Sequence, residues 1–244
     1  MKYAIISDIH SNLEAFKAVI NDARKEGVDR YLFAGDIVGY GADPSECIKE
    51  LKKLGCAGVA GNHDWGTLGL TSLENFNPYA KQAVEWTKEK LSAKDKEFLQ
   101  SLPLTKKTDG ITLVHSTLQN PEKWEYIRST FQAHKNIELQ ETRIVFVGHS
   151  HVPISFIEPS KIPGPIRFSK DEEIQIEDKS NYFINVGSVG QPRDGNPKSC
   201  YAVYDKDNQT VRLKRVEYDI KTTQEKIIEA GLPKRLADRL EFGE

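Results

Sequence analysis

The chain has few cysteines and no long apolar segment. Its three cysteines form no Cys-x-x-Cys pair, so neither a disulfide framework nor a cysteine-based zinc site is expected. No apolar run approaches the roughly 20 residues that a membrane-spanning helix needs. Met1 leads directly into an apolar strand without a signal segment. We therefore expect a soluble, cytoplasmic protein with reduced thiols and no membrane partner.

An excess of charge of either sign is also absent. Among 244 residues, 34 Lys and Arg stand against 36 Asp and Glu, which gives a formal net charge of −2. Nucleic-acid-binding domains usually carry a basic excess, so no stable nucleic-acid complex is expected. No internal repeat and no linker rich in Pro, Gly or Ser divides the chain. We predict one domain over residues 1–244, with a C-terminal helical extension over about 219–244.

The first quarter of the chain alternates between strand and helix patterns. Apolar runs at 3–6, 31–34 and 57–60 predict strands, and the amphipathic stretches between them predict helices that end at Gly27 and Gly55. Strands that are joined by helices in this way run parallel, with right-handed crossovers. Residues that follow such strands can therefore converge on one point.

The rest of the chain is richer in strands. A loop is predicted at 65–78 and two helices within 79–101, and Asp109-Gly110 predicts a hairpin turn between strands 104–108 and 111–114. The remaining predicted strands are 144–147, 153–157, 173–178, 181–186, 199–205 and 210–218, and two short helices separated by Gly231-Leu232-Pro233 are predicted over 222–240.

Five of the six histidines lie in short polar blocks that follow apolar runs. Imidazole nitrogen and carboxylate oxygen are the donors that divalent ions take at catalytic sites. In an extended segment, residues two apart point the same way, so the pairs Asp8/His10 and His149/His151 are each predicted to reach one ion together. Each block alone is an ordinary turn, but the ordered set favours a metal site. The candidate ligands are Asp8, His10, Asp36, Asn62, His115, His149 and His151.

These motifs, taken in order, resemble the signature of the calcineurin-like metallophosphoesterases. Segments 6–15, 35–41 and 185–193 further resemble its small prokaryotic phosphodiesterase branch, which is similar to symmetrical diadenosine-tetraphosphate hydrolases. The resemblance extends from residue 1 to about 205, and the departures are Ser11 and Ser116, where many relatives have glycine. It implies an αββα sandwich of two mixed sheets flanked by helices. The matching motifs are Asp8-x-His10, Gly35-Asp36, Gly61-Asn62-His63-Asp64, His115 and Gly148-His149-x-His151.

The resemblance also implies individual roles. His63 would lie outside the ligand sphere and face the substrate, with Asp64 behind it to orient its ring. The cofactors would be two divalent transition-metal ions, with Mn²⁺ expected and Fe, Zn²⁺, Co²⁺ or Ni²⁺ as alternatives. The ligands would form two sets that share Asp36, the first completed by Asp8, His10 and His151 and the second by Asn62, His115 and His149.

The implied reaction is hydrolysis of a phosphodiester or a nucleotide phosphoanhydride by a hydroxide that bridges both ions. His63 would protonate the leaving oxygen or stabilise its charge. Arg193 would bind a substrate phosphate and Tyr40 would stack on a nucleobase, although a surface position and turn packing are their plainer interpretations. The substrate would be a small phosphoester or nucleotide. A phosphomonoesterase or protein phosphatase, or a non-catalytic scaffold of the same fold, are the alternatives.

Three segments, 65–82, 117–130 and 158–172, have no assigned part in this scheme. They would form a lid or a partner surface. Within them, Trp124 and Tyr126 are expected to pack in the core rather than line the pocket. A homo-oligomer is left open.

Overall fold

Two mixed six-stranded sheets form the centre of the computed structural model, which describes residues 1–159 and 165–244. The strands are β1 (Lys2–Ile6), β2 (Arg30–Phe33), β3 (Ala57–Gly58), β4 (Thr105–Thr108), β5 (Ile111–Val114), β6 (Ile144–Val147), β7 (Ile154–Glu158), β8 (Arg167–Ser169), β9 (Glu173–Gln175), β10 (Asn181–Asn185), β11 (Ser199–Asp205) and β12 (Thr210–Val216). The helices are α1 (Leu13–Lys25), α2 (Pro44–Lys53), α3 (Asn62–Leu68), α4 (Pro78–Lys90), α5 (Ala93–Gln100), α6 (Thr130–Ile137), α7 (Ile220–Glu229) and α8 (Lys234–Asp238), with 3₁₀ turns at Pro121–Lys123 and Arg239–Phe242.

Each sheet combines parallel and antiparallel strands. The first has the order β3-β2-β1-β11-β12-β9, in which β1, β2 and β3 run parallel and β11 runs antiparallel to β1. The second has the order β4-β5-β6-β10-β7-β8, in which β5, β6 and β10 run parallel. The carboxyl ends of β1, β2 and β3 therefore share one edge of the first sheet, and those of β5 and β6 share one edge of the second.

The two sheets pack face to face because alternate side chains of their central strands are apolar. On β1, Tyr3 and Ile5 enter the space between the sheets, where Phe146 and Ile184 of the second sheet belong to the same buried cluster. Successive strand residues point to opposite faces, so one strand contributes to two layers of core.

Helices cover the outer faces of both sheets. On the first sheet, Ile6 packs with Phe16 of α1 and Ile48 of α2. On the second, Val145 packs with Ala133 of α6. The layers thus follow the order helix, sheet, sheet, helix, which confirms the expected αββα sandwich.

The segment after β3 differs from the sequence-based expectation. The strand predicted over 57–60 extends only to Gly58, and the predicted loop at 65–78 begins inside α3. The carboxylate of Asp64, in the first turn of α3, accepts a hydrogen bond from the backbone N–H of Gly61 and so caps the helix. Gly69 then ends α3 in a left-handed conformation. Gly66 therefore lies inside a helix, although the Gly, Asn and Pro residues of 65–78 suggested a loop.

The second half contains one strand that was not predicted. β8 pairs with β7 at an edge of the second sheet, and its Phe168 is 62% exposed, so the strand lacks an alternating apolar pattern. The strand predicted over 173–178 is shorter, ending at Gln175. In the segment 158–172, residues 160–164 lie outside the described residues.

The C-terminal helices pack beside α4, close to the loop that follows β2. Leu236 and Leu240 belong to one buried cluster with Ala83 of α4 and with Tyr40. The two short helices predicted over 222–240 are confirmed, whereas the single domain stays a prediction. Within the described part of the chain, no helix combines the length and the apolar character needed to cross a bilayer.

Replacing Ile184 by alanine is expected to lower the free energy of unfolding by about 2–5 kcal/mol, because it opens a cavity between two tightly packed sheets. Urea denaturation of the metal-free protein measures the change. Ile228→Ala on α7, where the side chain is 53% exposed, is the matched control and should change stability by less than about 0.5 kcal/mol. An equal, small effect of both substitutions would contradict this description of the core.

Candidate metal centre

Five loops bring the candidate ligands to one end of the sandwich. They follow β1, β2, β3, β5 and β6, at the carboxyl ends of parallel strands. Every candidate ligand is buried, and the most exposed of them, Asn62, retains only 8% of its accessible surface. Polar side chains at this depth require partners, so their contacts define what the site can hold.

Most of the ligand residues adopt a left-handed backbone conformation. This corrects the assumption of extended segments, because the φ angles of five of the seven candidates lie between 50° and 65°. Non-glycine residues in this region cost about 1–3 kcal/mol each and persist only where the surroundings hold them. Here the backbone N–H of His10 donates to the carbonyl of Asp36 at 3.1 Å, which ties the first loop to the second. The five residues are Asp8, His10, Asp36, His149 and His151.

One group of donors is formed by Asp8, His10 and His151. The Nε2 atoms of His10 and His151 are 3.0 Å apart, and Oδ1 of Asp8 lies 3.2 Å from Nε2 of His151. Oδ2 of Asp36 approaches the same group, 3.7 Å from Nε2 of His10. Asp8 and His10 thus point to one place through two left-handed turns rather than through an extended strand.

A second group contains Asp36, His115 and His149. Nε2 of His115 lies 3.2 Å from Oδ2 of Asp36 and 3.1 Å from Oδ1 of Asn62. His149 and His151 therefore belong to different groups, and the expectation from spacing that they reach one ion together was wrong. The observed division is the one that the resemblance implies, while the assignment of each ligand to an ion stays a prediction.

Four histidines have one ring nitrogen on a backbone carbonyl. In a neutral imidazole that nitrogen carries the proton, so the other nitrogen presents its lone pair to the centre. Metal-binding histidines are held in this way in other proteins. The contacts are His10 Nδ1 with Val38 O at 3.1 Å, His115 Nδ1 with Ala34 O at 2.7 Å, His149 Nε2 with Trp124 O at 2.8 Å, and His151 Nδ1 with Gln191 O at 2.6 Å.

The donor set fits divalent cations. Burial lowers the pKa of both His149 and His151 to about 3, so their rings are neutral at pH 7. For His115, burial is outweighed by the carboxylate of Asp36, and its pKa rises to about 9. This proton must leave before the ring can bind an ion. Facing lone pairs such as those of His10 and His151 repel one another unless a cation lies between them.

His63 lies against this centre, and with His10 and Asp36 it forms a third group of possible ligands. Its Nδ1 is buried and has no hydrogen-bond partner among the described residues. The ring centroid lies 4.4 Å from that of Tyr40, 4.8 Å from that of His10 and 5.0 Å from that of Phe76. Burial holds the pKa of His63 well below its ordinary value. Its position between the ligands and the cleft suits a group that acts on a substrate.

Asp64 supports the ligand loops instead of the His63 ring. Its carboxylate accepts hydrogen bonds from the backbone N–H groups of Asp36 and Ile37 at 3.0 Å, of Val38 at 3.2 Å and of Gly61 at 2.9 Å. Both oxygens are therefore used to join the loops after β2 and β3. The expectation that Asp64 orients the His63 ring does not hold in this structure, and Asp64 is a positioning residue for Asp36.

Gly61 explains why the two loops can lie so close. A Cβ atom on Gly61 would lie 2.0 Å from Oδ1 of Asp36. That same oxygen accepts a hydrogen bond from the backbone N–H of His63 at 2.8 Å. A side chain at position 61 would therefore displace Asp36, a member of the second group of donors whose Oδ2 also approaches the first.

A cleft of about 510 Å³ opens above the donors. Trp124 and Tyr126 line it, so the expectation that they pack in the core was wrong. Phe76 also lines the cleft, although it was not among the predicted site residues. It lies in a predicted loop and belongs to none of the motifs, so nothing in the sequence marked it. Two of the three segments without an assigned role, 65–82 and 117–130, therefore contribute to the wall of the site.

Tyr40 and Arg193 also line the cleft, in contact with each other. The guanidinium carbon of Arg193 lies 5.5 Å from the centroid of the Tyr40 ring, and Arg193 donates to Oε1 of Gln191 at 2.8 Å. The Tyr40 ring is only 5% exposed and packs on His10 and His63. This burial favours a packing role for Tyr40, and binding of substrate by either residue stays a prediction.

Comparisons with known proteins agree with this geometry. Residues 1–209 match the model of the calcineurin-like phosphoesterase superfamily domain. An uncharacterized protein of Methanocaldococcus jannaschii is 41% identical over 244 residues, which cover 98% of this chain and 97% of the relative. A crystal structure of a metallophosphoesterase from Sphaerobacter thermophilus is 41% identical, with a TM-score of 0.88 over 100% of this chain and 99% of that one. A hypothetical protein from Pyrococcus horikoshii OT3 shares the fold at 21% identity, with a TM-score of 0.79 over 100% of this chain and 98% of that one.

Replacing Asp64 by asparagine is expected to lower the free energy of unfolding of the metal-free protein by about 1–3 kcal/mol, because the amide NH₂ must then face backbone N–H donors. Displacement of Asp36 should also weaken Mn²⁺ binding. Urea denaturation and Mn²⁺ titration measure the two effects. Asp178→Asn, at a side chain that is 92% exposed, is the matched control. Normal stability and normal Mn²⁺ binding in Asp64→Asn would contradict the positioning of Asp36 by Asp64. Asp64 would then be left with the role of orienting the His63 ring.

Proposed function

The chain belongs to the calcineurin-like phosphoesterase superfamily, and on that premise we propose that it is a dinuclear-metal-dependent phosphodiesterase acting on small phosphodiesters or nucleotide phosphoanhydrides. The observation that carries the proposal is the position of Asp36 at the base of an open cleft that His63 also lines. Asp36 belongs to the group of His115 and His149, and its Oδ2 lies 3.7 Å from Nε2 of His10 in the other group. A carboxylate with two oxygens is suited to bridge two ions.

The chemistry would be divided between the cofactors and the chain. Two bound divalent ions would make hydroxide available near neutral pH and offset negative charge on the phosphoryl oxygens. Mixed nitrogen and oxygen donors with one amide suit Mn²⁺, and also Fe, Zn²⁺, Co²⁺ or Ni²⁺. The chain fixes the donors in advance: each histidine of the set is already oriented by a backbone carbonyl, so little reorganisation is needed when the ions bind.

His63 is proposed to give a proton to the leaving oxygen. Its ring lines the cleft and is held by contact with Tyr40 and Phe76. A general acid of this kind contributes about 10²–10⁴-fold to rate. Its low pKa in the absence of substrate means that the negatively charged phosphoryl group must favour the protonated ring.

The size of the cleft favours a substrate with groups on both sides of the phosphorus atom. A volume of about 510 Å³ lies within the range of sites for small ligands, and a phosphomonoester with a small leaving group would leave much of it empty. In the wall, the positive charges of Arg193 and Lys123 stand beside the carboxylates of Glu122 and Glu125, and Phe76 and Trp124 add aromatic surface. Cationic and aromatic groups together suit a nucleotide.

Two other functions explain less of the structure. A phosphomonoesterase or protein phosphatase would use the same donors, and relative turnover of diester and monoester distinguishes it. A non-catalytic scaffold would need neither a converging set of seven candidate ligands nor a histidine with a free nitrogen beside them. Absence of hydrolysis with every metal tested would favour the scaffold.

Replacing His63 by alanine is expected to lower kcat by about 10²–10⁴-fold with Mn²⁺ bound, because the leaving oxygen loses its proton donor. The number of bound Mn²⁺ ions should stay the same as in the wild type. Steady-state hydrolysis and metal analysis test the two parts. His134→Ala on α6, where the ring is half exposed, is the matched control. Loss of the bound metal, or unchanged turnover, would refute the role given to His63.

The Mn²⁺-loaded protein is expected to hydrolyse bis-p-nitrophenyl phosphate faster than p-nitrophenyl phosphate. The physical reason is that the diester places a group on each side of phosphorus, as the cleft allows. Rates at equal concentrations of protein and substrate, with chelator-treated protein as the blank, give the answer. Faster hydrolysis of the monoester would replace the phosphodiesterase by a phosphatase.

A further inference from the structure

Residues 120–128, which we name the strap, cross the open side of His149 and also reach His115. The strap contains one 3₁₀ turn, and residues 124–128 have no regular secondary structure. Two of its residues, Asn120 and Trp124, have φ angles of 51° and 55°. Left-handed conformations at such residues are uncommon and are retained where neighbouring contacts hold them. The contacts of the strap with His149 are therefore the place to look for its role.

The strap holds His149 in two ways. The carbonyl oxygen of Trp124 accepts the proton of His149 Nε2 at 2.8 Å. The ring of Tyr126 stacks on the His149 ring, with centroids 4.1 Å apart and planes inclined by 19°. On Tyr126, the guanidinium carbon of Arg128 lies 4.5 Å from the ring centroid. The His149 ring, the Tyr126 ring and the Arg128 guanidinium form one column. The position of His149 depends on the other two members, Tyr126 and Arg128.

His115, of the same group, meets the Trp124 ring edge to face with centroids 6.0 Å apart, whereas His10 and His151 are held by other parts of the chain. His10 and His151 are anchored by carbonyls of Val38 and Gln191, in loops that are bonded to the sheets. For example, the backbone N–H of Val189 donates to Ser7 O at 3.0 Å. A movement of the strap would release the His149 ring while leaving the donors around His10 and His151 in place.

The strap lies on the surface. Tyr126 is 38% exposed. Beneath it, a cavity of about 10 Å³ is lined by Ser116, Tyr126 and His149, and the Ser116 hydroxyl has no partner among the described residues. A cavity of this size holds about one water molecule. Removing contacts of the strap should therefore disturb His149 without unfolding the sandwich.

The outer side of the strap is fixed by the other segment of the cleft wall. The indole N–H of Trp124 donates to the Thr71 hydroxyl at 3.3 Å, and its ring meets that of Trp65 edge to face, with centroids 5.5 Å apart. Trp124 and Tyr126 line the cleft as well. One segment therefore contacts both a metal ligand and the space that a substrate would occupy.

We propose that the strap is a clamp that positions His149, so that the ion of the Asp36, His115 and His149 group binds tightly only when the strap is closed. The inference rests on the metal-binding part of the proposed function and adds a regulated step to it. Tyr126 and the Trp124 carbonyl are positioning groups. Because the clamp also forms the cleft wall, any ligand that holds the strap closed must strengthen binding of that ion, by reciprocity of coupled equilibria.

Replacing Tyr126 by alanine tests the clamp. Chelator-treated protein is titrated with Mn²⁺, and free Mn²⁺ is followed by electron paramagnetic resonance. We expect two ions per chain in the wild type and about 10-fold or greater weakening of one ion in Tyr126→Ala, with the other unchanged, as for other groups that orient a metal ligand. Tyr126→Phe, which keeps the stacked ring, should bind both ions normally. Tyr79→Ala, at an exposed tyrosine that does not line the cleft, is the control.

Three outcomes separate the inference from its premise. Normal binding of both ions by a folded Tyr126→Ala would overturn the clamp and leave the metal centre intact. Equal weakening of both ions would also overturn it, because the strap would then act on the whole site. Absence of Mn²⁺ binding by the wild type would refute the metal centre itself, and with it the clamp.

Limited trypsin digestion of the wild type gives a second test that needs no substitution. The strap contains two exposed cleavage sites, Lys123 and Arg128. If the ion and the closed strap stabilise each other, saturating Mn²⁺ should slow cleavage at these sites at least several-fold. Cleavage in the strap at one rate with and without Mn²⁺ would overturn the proposal, whereas a change at every site along the chain would show a general stabilisation instead of a clamp.

Discussion

The architecture of the site depends on where the histidine protons are placed. Four rings each donate one N–H to a backbone carbonyl, so the other nitrogen of each ring faces the centre. Some of these nitrogens meet carboxylate or amide oxygens. The Nε2 atoms of His10 and His151 meet each other at 3.0 Å, with no proton available between them. Repulsion of this kind is tolerable only if the surrounding chain is rigid and if cations complete the set. The sandwich supplies the rigidity through loops that start from buried parallel strands.

The same requirement explains Asp64 and Gly61. Asp64 joins the loops after β2 and β3 through four backbone N–H groups, and Gly61 leaves room for the Asp36 carboxylate against its own backbone. Neither residue carries the chemistry. Together they fix Asp36, which belongs to the group of His115 and His149 and lies 3.7 Å from His10 of the first group. The motif from Gly61 to Asp64, which the sequence suggested to be catalytic, therefore serves in large part to hold two adjacent loops together.

The family resemblance implied the layers of the fold, and apolar runs predicted most of the strands that build them. In the structure, Tyr3, Ile5 and their neighbours alternate between two cores. The set of candidate ligands also followed from residue types behind apolar runs. Backbone conformation did not, because left-handed turns at Asp8 and His10 depend on bonds to a distant loop rather than on local preference. The hydrogen bonds of Asp64 and the exposure of Trp124 and Tyr126 were missed for the same reason: each is a contact between segments that only the tertiary structure brings together.

The C-terminal helices lie outside the residues matched by the family model, yet Leu236 and Leu240 pack in one cluster with Tyr40, whose ring touches His63. The wall behind the proposed proton donor is thus built by a part of the chain that holds none of the candidate ligands. Mutations there can change the shape of the cleft. Tyr40 also meets the ring of His10, so a substitution at the C-terminus would be transmitted through one buried tyrosine to both a candidate ligand and the proposed proton donor.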